Sequence, residues 1–427
     1  MIEKIKDINL NNFLLMFYIY YFTLFLDASS LIIDYPIIEV ITKIIRYAVY
    51  LLLFIRLIFI LPYYKNDIKE KKWKQKSLLV KITYVMLIMF SISLIINFIT
   101  TKNKRMMFLI LILLSSYRTD YKKIIKVTMN LQIILTGILV LLSILGVTQN
   151  YIVTRGATIS RYSLGFLYTT NLAQMIAFSS ILYLYSAGSD TSYRELFIMQ
   201  IMNVFAYFIT DSRTEFIMLE MIILIMIIWK VLKNINKDGI LKKIKKIYSS
   251  IFLKTFILYP IFSFIIVMCY PNGGIWNNVN TALSDRLKQT YNNIETYGVQ
   301  PFGVDIELIG LGLKEKLRYG NYASNYIDNE YIQMMFKEGI VCAVCFIILI
   351  NILLIVLYKK NKYKEIMLCS IYLLFGLLNP RIINLLYCPI LFMFIPEILN
   401  YEKINEKKHE EILIKEEGTN YGNKISN

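Results

Sequence analysis

The eleven arginines are the residues of this chain whose type and placement most strongly suggest chemistry. A guanidinium group is planar, permanently charged and forked, so it can bind two oxygens of a phosphate or carboxylate at once. Arginines that meet in the folded chain would therefore suit a ligand that carries a diphosphate. The alternative for any one of them is anchoring to lipid headgroups or pairing with a carboxylate.

Arg213 is the most informative of these arginines. It opens an apolar run directly after Asp211 and Ser212, and Glu215 and Glu220 follow it. The seven-residue spacing places Arg213 and Glu220 on one helix face. A glutamate two turns into a membrane helix is costly unless it faces a polar cavity or a partner. Either this pair is an internal ion pair that fixes helix packing, or the helix end lines a polar site.

A second polar cluster also precedes an apolar run. It consists of Arg155, the sequence from Arg161 to Phe166, and Asn171. Its small and polar residues would allow close backbone approach and hydrogen bonds to a sugar or a diphosphate. We interpret this cluster as a second wall of a binding site.

A third cluster lies between residues 271 and 331. It contains Arg286 after Asp285, the sequence Gly310-Leu311-Gly312, and the acidic sequence Asp328-Asn329-Glu330-Tyr331. Aromatic residues are interleaved with these groups: Trp276, Tyr291, Tyr297, Tyr319, Tyr322, Tyr326 and Tyr331. Aromatic rings offer flat faces to sugars, although anchoring at the membrane interface is their more common role.

Histidine chemistry is excluded from all three clusters. The only histidine is His409, in a charged segment near the end of the sequence. All five cysteines lie in or beside apolar runs, and Cys342 and Cys345 have no histidine near them at the spacing of a zinc site. We therefore predict no metal and no cofactor.

The composition indicates a membrane protein. Hydrophobic residues make up 57% of the 427 residues and charged residues only 18%, which excludes a water-soluble domain. The formal charge of +17 comes mainly from lysines in short connectors, so membrane orientation explains it and nucleic-acid binding is not expected. About twelve apolar runs are candidate membrane helices: 11–29, 38–62, 79–99, 101–117, 127–147, 166–187, 195–210, 213–232, 251–270, 332–357, 365–379 and 383–400.

The distribution of positive charge predicts the orientation of these helices. Connectors assigned to the cytoplasm carry 22 lysines and arginines, against 7 in the short connectors on the other side, which places both termini inside. Arginine runs against this rule, since seven of the eleven fall outside: Arg105, Arg155, Arg161, Arg213, Arg286, Arg318 and Arg381. Span 101–117 is the weakest of the twelve, because it is short and has three positive residues at its outer end.

The predicted organisation has four parts: transmembrane helices 1–9 in residues 1–270, a large extracytoplasmic loop in 271–331, transmembrane helices 10–12 in 332–400, and a cytoplasmic tail in 401–427. A structured external loop of this size is usually functional. Apolar residues at helical spacing predict an amphipathic helix within it: Val279, Leu283, Leu287, Tyr291 and Ile294. Residues 324–336 are predicted to be a helix that continues into the tenth span.

In their order around one large outer loop, these motifs resemble the O-antigen and capsular polysaccharide repeat-unit polymerases of the Wzy type. The resemblance covers roughly residues 150–345, and no single motif is specific. The motifs are Arg161-x-Ser163-x-Gly165-Phe166 with Asn171, Ser212-Arg213-Thr214 at the start of a span, the Arg286 motif, the stretch from Pro301-Phe302 to Gly312, and Asp328-Asn329-x-Tyr331 to Gly339.

The resemblance implies an all-α polytopic membrane glycosyltransferase, GT-C-like, with about twelve transmembrane helices. It would transfer a growing chain between undecaprenyl-diphosphate-linked oligosaccharides on the outer face of a bacterial cytoplasmic membrane. Besides this substrate and the lipid bilayer, a chain-length regulator and a flippase are the candidate partners.

The expected task of such a site is to stabilise developing negative charge and to orient an acceptor hydroxyl, because the leaving group is already a diphosphate. The predicted diphosphate ligands are Arg213 and Arg286, followed by Arg161 and Arg318. The predicted candidates for a general base are Asp328, Glu330 and Glu215.

Two alternatives remain open at this point. Ligases of the O-antigen type share the arginine-rich outer architecture, but they are expected to carry a histidine in the large loop, and this loop has none. A flippase or other transporter of the same lipid-linked oligosaccharides would also suit twelve spans. Transporters often show internal repeats and short loops, and this sequence has neither an evident repeat nor uniformly short loops.

Overall fold

The computed structural model describes residues 13–69, 78–117, 119–155, 158–187, 191–234, 238–320 and 324–398. The predicted tail 401–427 and the predicted positions of both termini lie outside these residues. The helices of the first half are α1 (Phe13–Asp27), α2 (Leu31–Asp34), α3 (Pro36–Lys69), α4 (Leu78–Thr101), α5 (Arg105–Ser115), α6 (Tyr121–Ile144), α7 (Asn171–Ala187), α8 (Tyr193–Thr210) and α9 (Arg213–Asn234). Those of the second half are α10 (Asp238–Thr255), α11 (Leu258–Cys269), α12 (Ile275–Ala282), α13 (Arg286–Tyr297), α14 (Leu313–Tyr319), α15 (Glu330–Lys337), α16 (Ile340–Lys359) and α17 (Tyr363–Phe375).

The protein is an α-helical membrane protein. Among the described residues, four helices are long and apolar enough to cross a membrane, namely the Pro36–Pro62 part of α3, and α4, α6 and α16. Three more helices, α1, α5 and α11, are apolar but shorter. In α16, 67% of the apolar window is buried by other helices, against 22% in α3. The exposed apolar surface of α3 is therefore the kind of surface that lipid would cover.

The last predicted span does not form a long helix. Residues 383–398 are almost entirely buried, but they consist of turns, a short 3-10 helix at Ile390–Met393 and one final helical turn. Irregular backbone is tolerated at membrane depth only where the protein satisfies its polar groups. Here the Tyr21 hydroxyl and the Gln132 amide both donate to the Leu386 carbonyl, at 2.8 and 2.9 Å. The other eleven predicted runs each overlap a helix.

One end of the bundle is covered by the chain between α11 and α15, and we call it the loop end. Three contacts show which helix ends meet there. Arg105 at the start of α5 approaches Glu330 of α15, and Lys314 of α14 binds Glu39 near the start of α3 at 2.7 Å. Near the end of α4, the Asn97 amide donates to the Phe302 carbonyl at 2.7 Å.

A two-stranded antiparallel hairpin lies near the loop end, between α6 and α7. Its strands are β1 (Ile152–Arg155) and β2 (Ile159–Tyr162), with Val153 opposite Arg161. β2 packs against α8. The polar sequence from Arg161 to Phe166 therefore does not lead directly into a helix, because eight residues separate the end of β2 from the start of α7.

The predicted amphipathic helix of the loop is two helices, α12 and α13. The chain bends between them at Ser284 and Asp285, whose φ angles are +55° and +64°. The predicted apolar face is confirmed, because it packs with Val267, Ile327 and Phe336 in a small hydrophobic core beside the main bundle. This core fixes the loop against the end of the bundle.

The predicted helix 324–336 begins only at Glu330. The Asn329 side chain caps this helix by accepting a hydrogen bond from the Ile332 backbone at 3.1 Å. The helix also does not continue into the following span, because Gly339 separates α15 from α16 with a φ of +94°. A Cβ atom at Gly339 would collide with the backbone around Phe302, so glycine is required for this close approach.

Candidate functional site

Residues 376–382, the segment that follows α17, connect most of the polar groups at the loop end. Arg286 donates to the Leu378 carbonyl at 3.1 Å, and the Asn379 amide donates to Glu215 at 3.0 Å. Arg381 donates through Nε to the Gln174 amide oxygen at 3.2 Å. The 376–382 segment therefore joins the starts of α7, α9 and α13.

Arg286 and Asp328 form an ion pair at this end. Arg286 Nε lies 2.9 Å from Asp328 Oδ2, and each side chain is about one third exposed (32% and 31%). Burial raises the pKa of Asp328, while the charges of Arg286 and Arg381 oppose the rise. The carboxylate is thus held beside two guanidinium groups and is still accessible.

Asp211 joins two further arginines. It lies between α8 and α9 in the left-handed conformation (φ +44°), which aspartate tolerates better than most residues. Its two oxygens lie 2.6 Å from Arg155 Nη1 and 3.6 Å from Arg213 Nε. The Arg213 side chain is 59% exposed and is therefore accessible to a ligand.

Arg161 reaches the same place from strand β2. Its Nε donates to the Thr210 carbonyl at 2.6 Å, at the end of α8. Burial and the nearby positive charge of Arg155 and, more weakly, of Arg286 lower the pKa of Arg161 to about 10, partly offset by Asp211. Arg161 is therefore still cationic at neutral pH.

Glu215 is buried in the first turn of α9, with 4% of its surface exposed. One of its oxygens accepts hydrogen bonds from the Gln174 amide at 3.2 Å and from the Asn379 amide at 3.0 Å. Within the described part of the chain, no lysine or arginine lies within ion-pair distance of Glu215. Amide groups, rather than a cation, hold this carboxylate.

These side chains define the arginine cluster, whose members are Arg155, Arg161, Arg213, Arg286 and Arg381 with Asp211, Glu215 and Asp328. Five positive and three negative side chains give the cluster a surplus of two positive charges. Five of the seven predicted site residues belong to it: Arg161, Arg213, Arg286, Glu215 and Asp328.

The structure does not bring the other two predicted residues into the cluster. Arg318 forms an exposed ion pair with Glu307 at 3.1 Å, and about 65% of each side chain is accessible. Glu330 is completely buried; one oxygen lies 3.4 Å from Arg105 and the other accepts the Ile382 backbone N–H at 3.2 Å. Glu330 therefore anchors the 376–382 segment and has no access to a substrate from this position.

The internal ion pair considered for Arg213 and Glu220 is not formed. Glu220 instead accepts hydrogen bonds from Gln200 at 2.6 Å and Asn203 at 2.9 Å, both on α8. These amides provide the hydrogen bonds that the Glu220 carboxylate needs inside the bundle. Arg213 pairs with Asp211 instead.

Sequence reasoning did not select Arg381, Asn379 and Gln174 as site residues. A signal was present for two of them, because Asn379-Pro380-Arg381 interrupts an otherwise apolar stretch between two runs. Such an interruption equally fits an ordinary connector between two spans. Gln174 lies within an apolar run and carried no comparable signal.

Tyr168 lies beside the cluster and is tightly held. Its hydroxyl donates to Glu315, and the loop residues Gly310 and Gly312 pack against its ring. A Cβ atom at Gly312 would lie 2.6 Å from Cζ of Tyr168. The second glycine of the Gly310-Leu311-Gly312 motif is therefore needed for this contact.

Replacing Gly312 by alanine should destabilise the protein by about 1–3 kcal/mol, because the added methyl group overpacks the contact with Tyr168. The measurement is the thermal unfolding midpoint of purified protein in lipid nanodiscs. Gly137→Ala is the matched control, since a Cβ there meets nothing within 4 Å and helix α6 should gain stability. Equal midpoints for the two variants would contradict the packing argument.

Among the residues that the structure describes, no group of three or more histidine, cysteine, aspartate or glutamate side chains is arranged to hold a metal ion. Comparison of the chain with protein-family models, with curated proteins and with solved structures found no significant match in any of the three.

Proposed function

We propose that this protein is a polysaccharide polymerase that joins undecaprenyl-diphosphate-linked oligosaccharide repeat units in O-antigen or capsule biosynthesis. The observation that carries the proposal is the arginine cluster. Five guanidinium groups from four separate parts of the chain converge with only three carboxylates at one end of an apolar bundle. A diphosphate that links a lipid to a sugar is an anion that must lie at such an end, just outside the hydrocarbon region.

The proposed architecture is GT-C-like, with about twelve membrane-crossing segments and the loop end on the outer face of the bacterial cytoplasmic membrane. The lysine-rich connectors support this orientation, because Lys122 and Lys362 lie at the starts of helices α6 and α17 and hence at the opposite end of the bundle. A flippase would supply the substrate, and a chain-length regulator would limit the product.

In the proposed reaction, an acceptor hydroxyl attacks the sugar carbon that is bonded to the diphosphate of the donor. A new glycosidic bond forms, the bond from carbon to diphosphate oxygen breaks, and undecaprenyl diphosphate leaves. The arginine cluster stabilises the negative charge that develops on the leaving group. No covalent enzyme intermediate is required.

Asp328 is the best placed of the three predicted bases. It is partly exposed, it lies 2.9 Å from Arg286, and burial raises its pKa, which makes the carboxylate a stronger base. Glu215 is more deeply buried, and one of its oxygens already accepts hydrogen bonds from two amide donors. We therefore assign the acceptor proton to Asp328.

The experiment that tests the function is deletion of the gene, followed by gel analysis of surface polysaccharide and of lipid-linked intermediates. We expect loss of polymer and accumulation of single repeat units on lipid at the outer face. Units trapped at the inner face would indicate a flippase instead, and lipid-linked polymer that is never transferred onward would indicate a ligase. Unchanged polymer would overturn all three.

A further inference from the structure

Helix α10 has an exposed side that combines apolar and basic residues. Ile244, Ile247 and Ile251 recur at positions i, i+3 and i+7, so they form one stripe along the helix, and all three are exposed. Lys243 and Lys246 each precede an isoleucine of this stripe and are exposed as well. We call these five residues the α10 face.

The other side of α10 packs on the bundle. Ser249 is fully buried, and the helix contacts α9, α16 and α17. The α10 face therefore points away from these helices and stays accessible. An accessible apolar stripe of this kind needs either lipid or another apolar surface to cover it.

The lengths of α10 and α11 place this face at the edge of the membrane. A helical crossing takes about 20 residues, whereas α10 has 18 residues and α11 has 12. α11 reaches the loop end, where Ser263 accepts a hydrogen bond from the Asn329 amide at 3.0 Å. A crossing by α11 therefore includes the last part of α10, and the first half of α10, with Lys243 and Lys246, lies at the opposite boundary.

The residue types of the α10 face suit the headgroup region of a bilayer. A helix that lies in this region directs apolar side chains to the acyl chains and basic side chains to the phosphates. The sequence of α10 contains a single acidic residue, Asp238, and five lysines: Lys242, Lys243, Lys245, Lys246 and Lys254. This surplus of positive charge favours acidic headgroups over zwitterionic ones.

We propose that the α10 face binds acidic phospholipids of the bilayer, with Lys243 and Lys246 on the headgroup phosphates and the isoleucine stripe against the acyl chains. This surface belongs to a different part of the chain from the arginine cluster. The inference does not depend on the proposed reaction.

The test uses purified full-length protein in nanodiscs of phosphatidylcholine. These contain a small fraction of phosphatidylglycerol with a photoreactive acyl chain or, in a second series, phosphatidylcholine with the same chain. Cross-linked peptides are mapped by mass spectrometry, so lipid at α10 is measured separately from lipid at the arginine cluster. We expect a higher yield on α10 with the phosphatidylglycerol probe.

Replacing Lys243 and Lys246 together by glutamine should lower the phosphatidylglycerol yield on α10 about twentyfold, since each lysine near an acidic headgroup contributes a factor of about five. The phosphatidylcholine yield should stay unchanged. Replacing both lysines by arginine should keep the preference for phosphatidylglycerol, because the charge is retained. Ile247→Ser should lower the yield with both probes, because it interrupts the apolar stripe.

Lys122→Gln combined with Lys123→Gln is the matched control. These lysines are also exposed and lie at the same end of the bundle, but the isoleucines that follow them, Ile124 and Ile125, are fully buried. The control removes the same charge and should leave the yield on α10 unchanged.

Three results would overturn the proposal. Equal yields on α10 with the two probes in the wild type would mean that this face does not select acidic lipid. An equal fall in the control variant would mean that overall surface charge, and not the α10 face, attracts the probe. A dimer in nanodiscs that Ile247→Ser dissociates, with no cross-links on α10, would assign the stripe to a second copy of the chain.

Discussion

Replacing Arg286 by lysine should reduce polymer formation by about a hundredfold, the order expected when one preorganised donor to a developing anion is lost. Lysine retains the positive charge but lacks the forked guanidinium group that donates hydrogen bonds in two directions. Arg286 binds Asp328 through Nε and the Leu378 carbonyl through Nη1, and a single ammonium group cannot hold both while facing a diphosphate. The measurement is the rate of chain extension on purified lipid-linked repeat units.

Two further lysine variants make this result specific. Arg318→Lys is the matched control and should extend chains at the wild-type rate, because Arg318 lies in an exposed ion pair away from the cluster. Arg213→Lys should lose activity as well, since Arg213 lies in the cluster and its side chain is exposed. Wild-type polymer length in both cluster variants would refute the assignment of these arginines to the diphosphate.

Replacing Arg105 by alanine should destabilise the fold by about 3–5 kcal/mol, the usual result of removing one partner from a buried ion pair. Arg105 lies 3.4 Å from Glu330 and 4.0 Å from Glu338, and both glutamates are completely buried. Its loss leaves two buried carboxylates whose nearest guanidinium group is gone. The thermal unfolding midpoint in nanodiscs measures this effect, and Arg318→Ala should leave the midpoint unchanged.

The loss of stability in Arg105→Ala should shrink as the pH falls. Burial raises the pKa of Glu338 to about 7 and also raises that of Glu330, and the charge of Arg105 opposes both shifts. Because their pKa is raised in the folded state, these carboxyl groups bind protons there at a higher pH than they do in the unfolded chain. The folded state therefore gains stability as the pH falls from about 7 towards the ordinary glutamate pKa near 4.3.

The comparison is therefore made at pH 8 and at pH 5. At pH 8 the variant should unfold at a much lower temperature than the wild type, and at pH 5 the difference should be smaller. A difference that is the same at both values would mean that Glu330 and Glu338 are not the cause of the instability.

The contrast between Arg286 and Arg318 shows where sequence reasoning ends. Both are arginines of the large loop, and the sequence offers no reason to separate them beyond the preceding Asp285. The bend at Ser284 and Asp285 starts α13 with Arg286 directed to the 376–382 segment, whereas Arg318 at the end of α14 faces Glu307 and solvent. The φ angles at the bend and the packing of α13 decide which of the two arginines joins the cluster, and residue type alone predicts neither.

By itself, the sequence determined the membrane class, the positions of helices in eleven of the twelve apolar runs, the apolar face of the loop helices, and the set of arginines from which a site could be built. These properties depend on local composition and spacing, because burial in lipid or protein selects apolar residues at each position. Only the tertiary structure decided that the last apolar run is not a long helix, since distant side chains such as Tyr21 and Gln132 satisfy its backbone. It also decided that Arg381 and Asn379 join the site and that Glu330 supports it from inside, because contacts between residues far apart in the chain depend on how the helices pack.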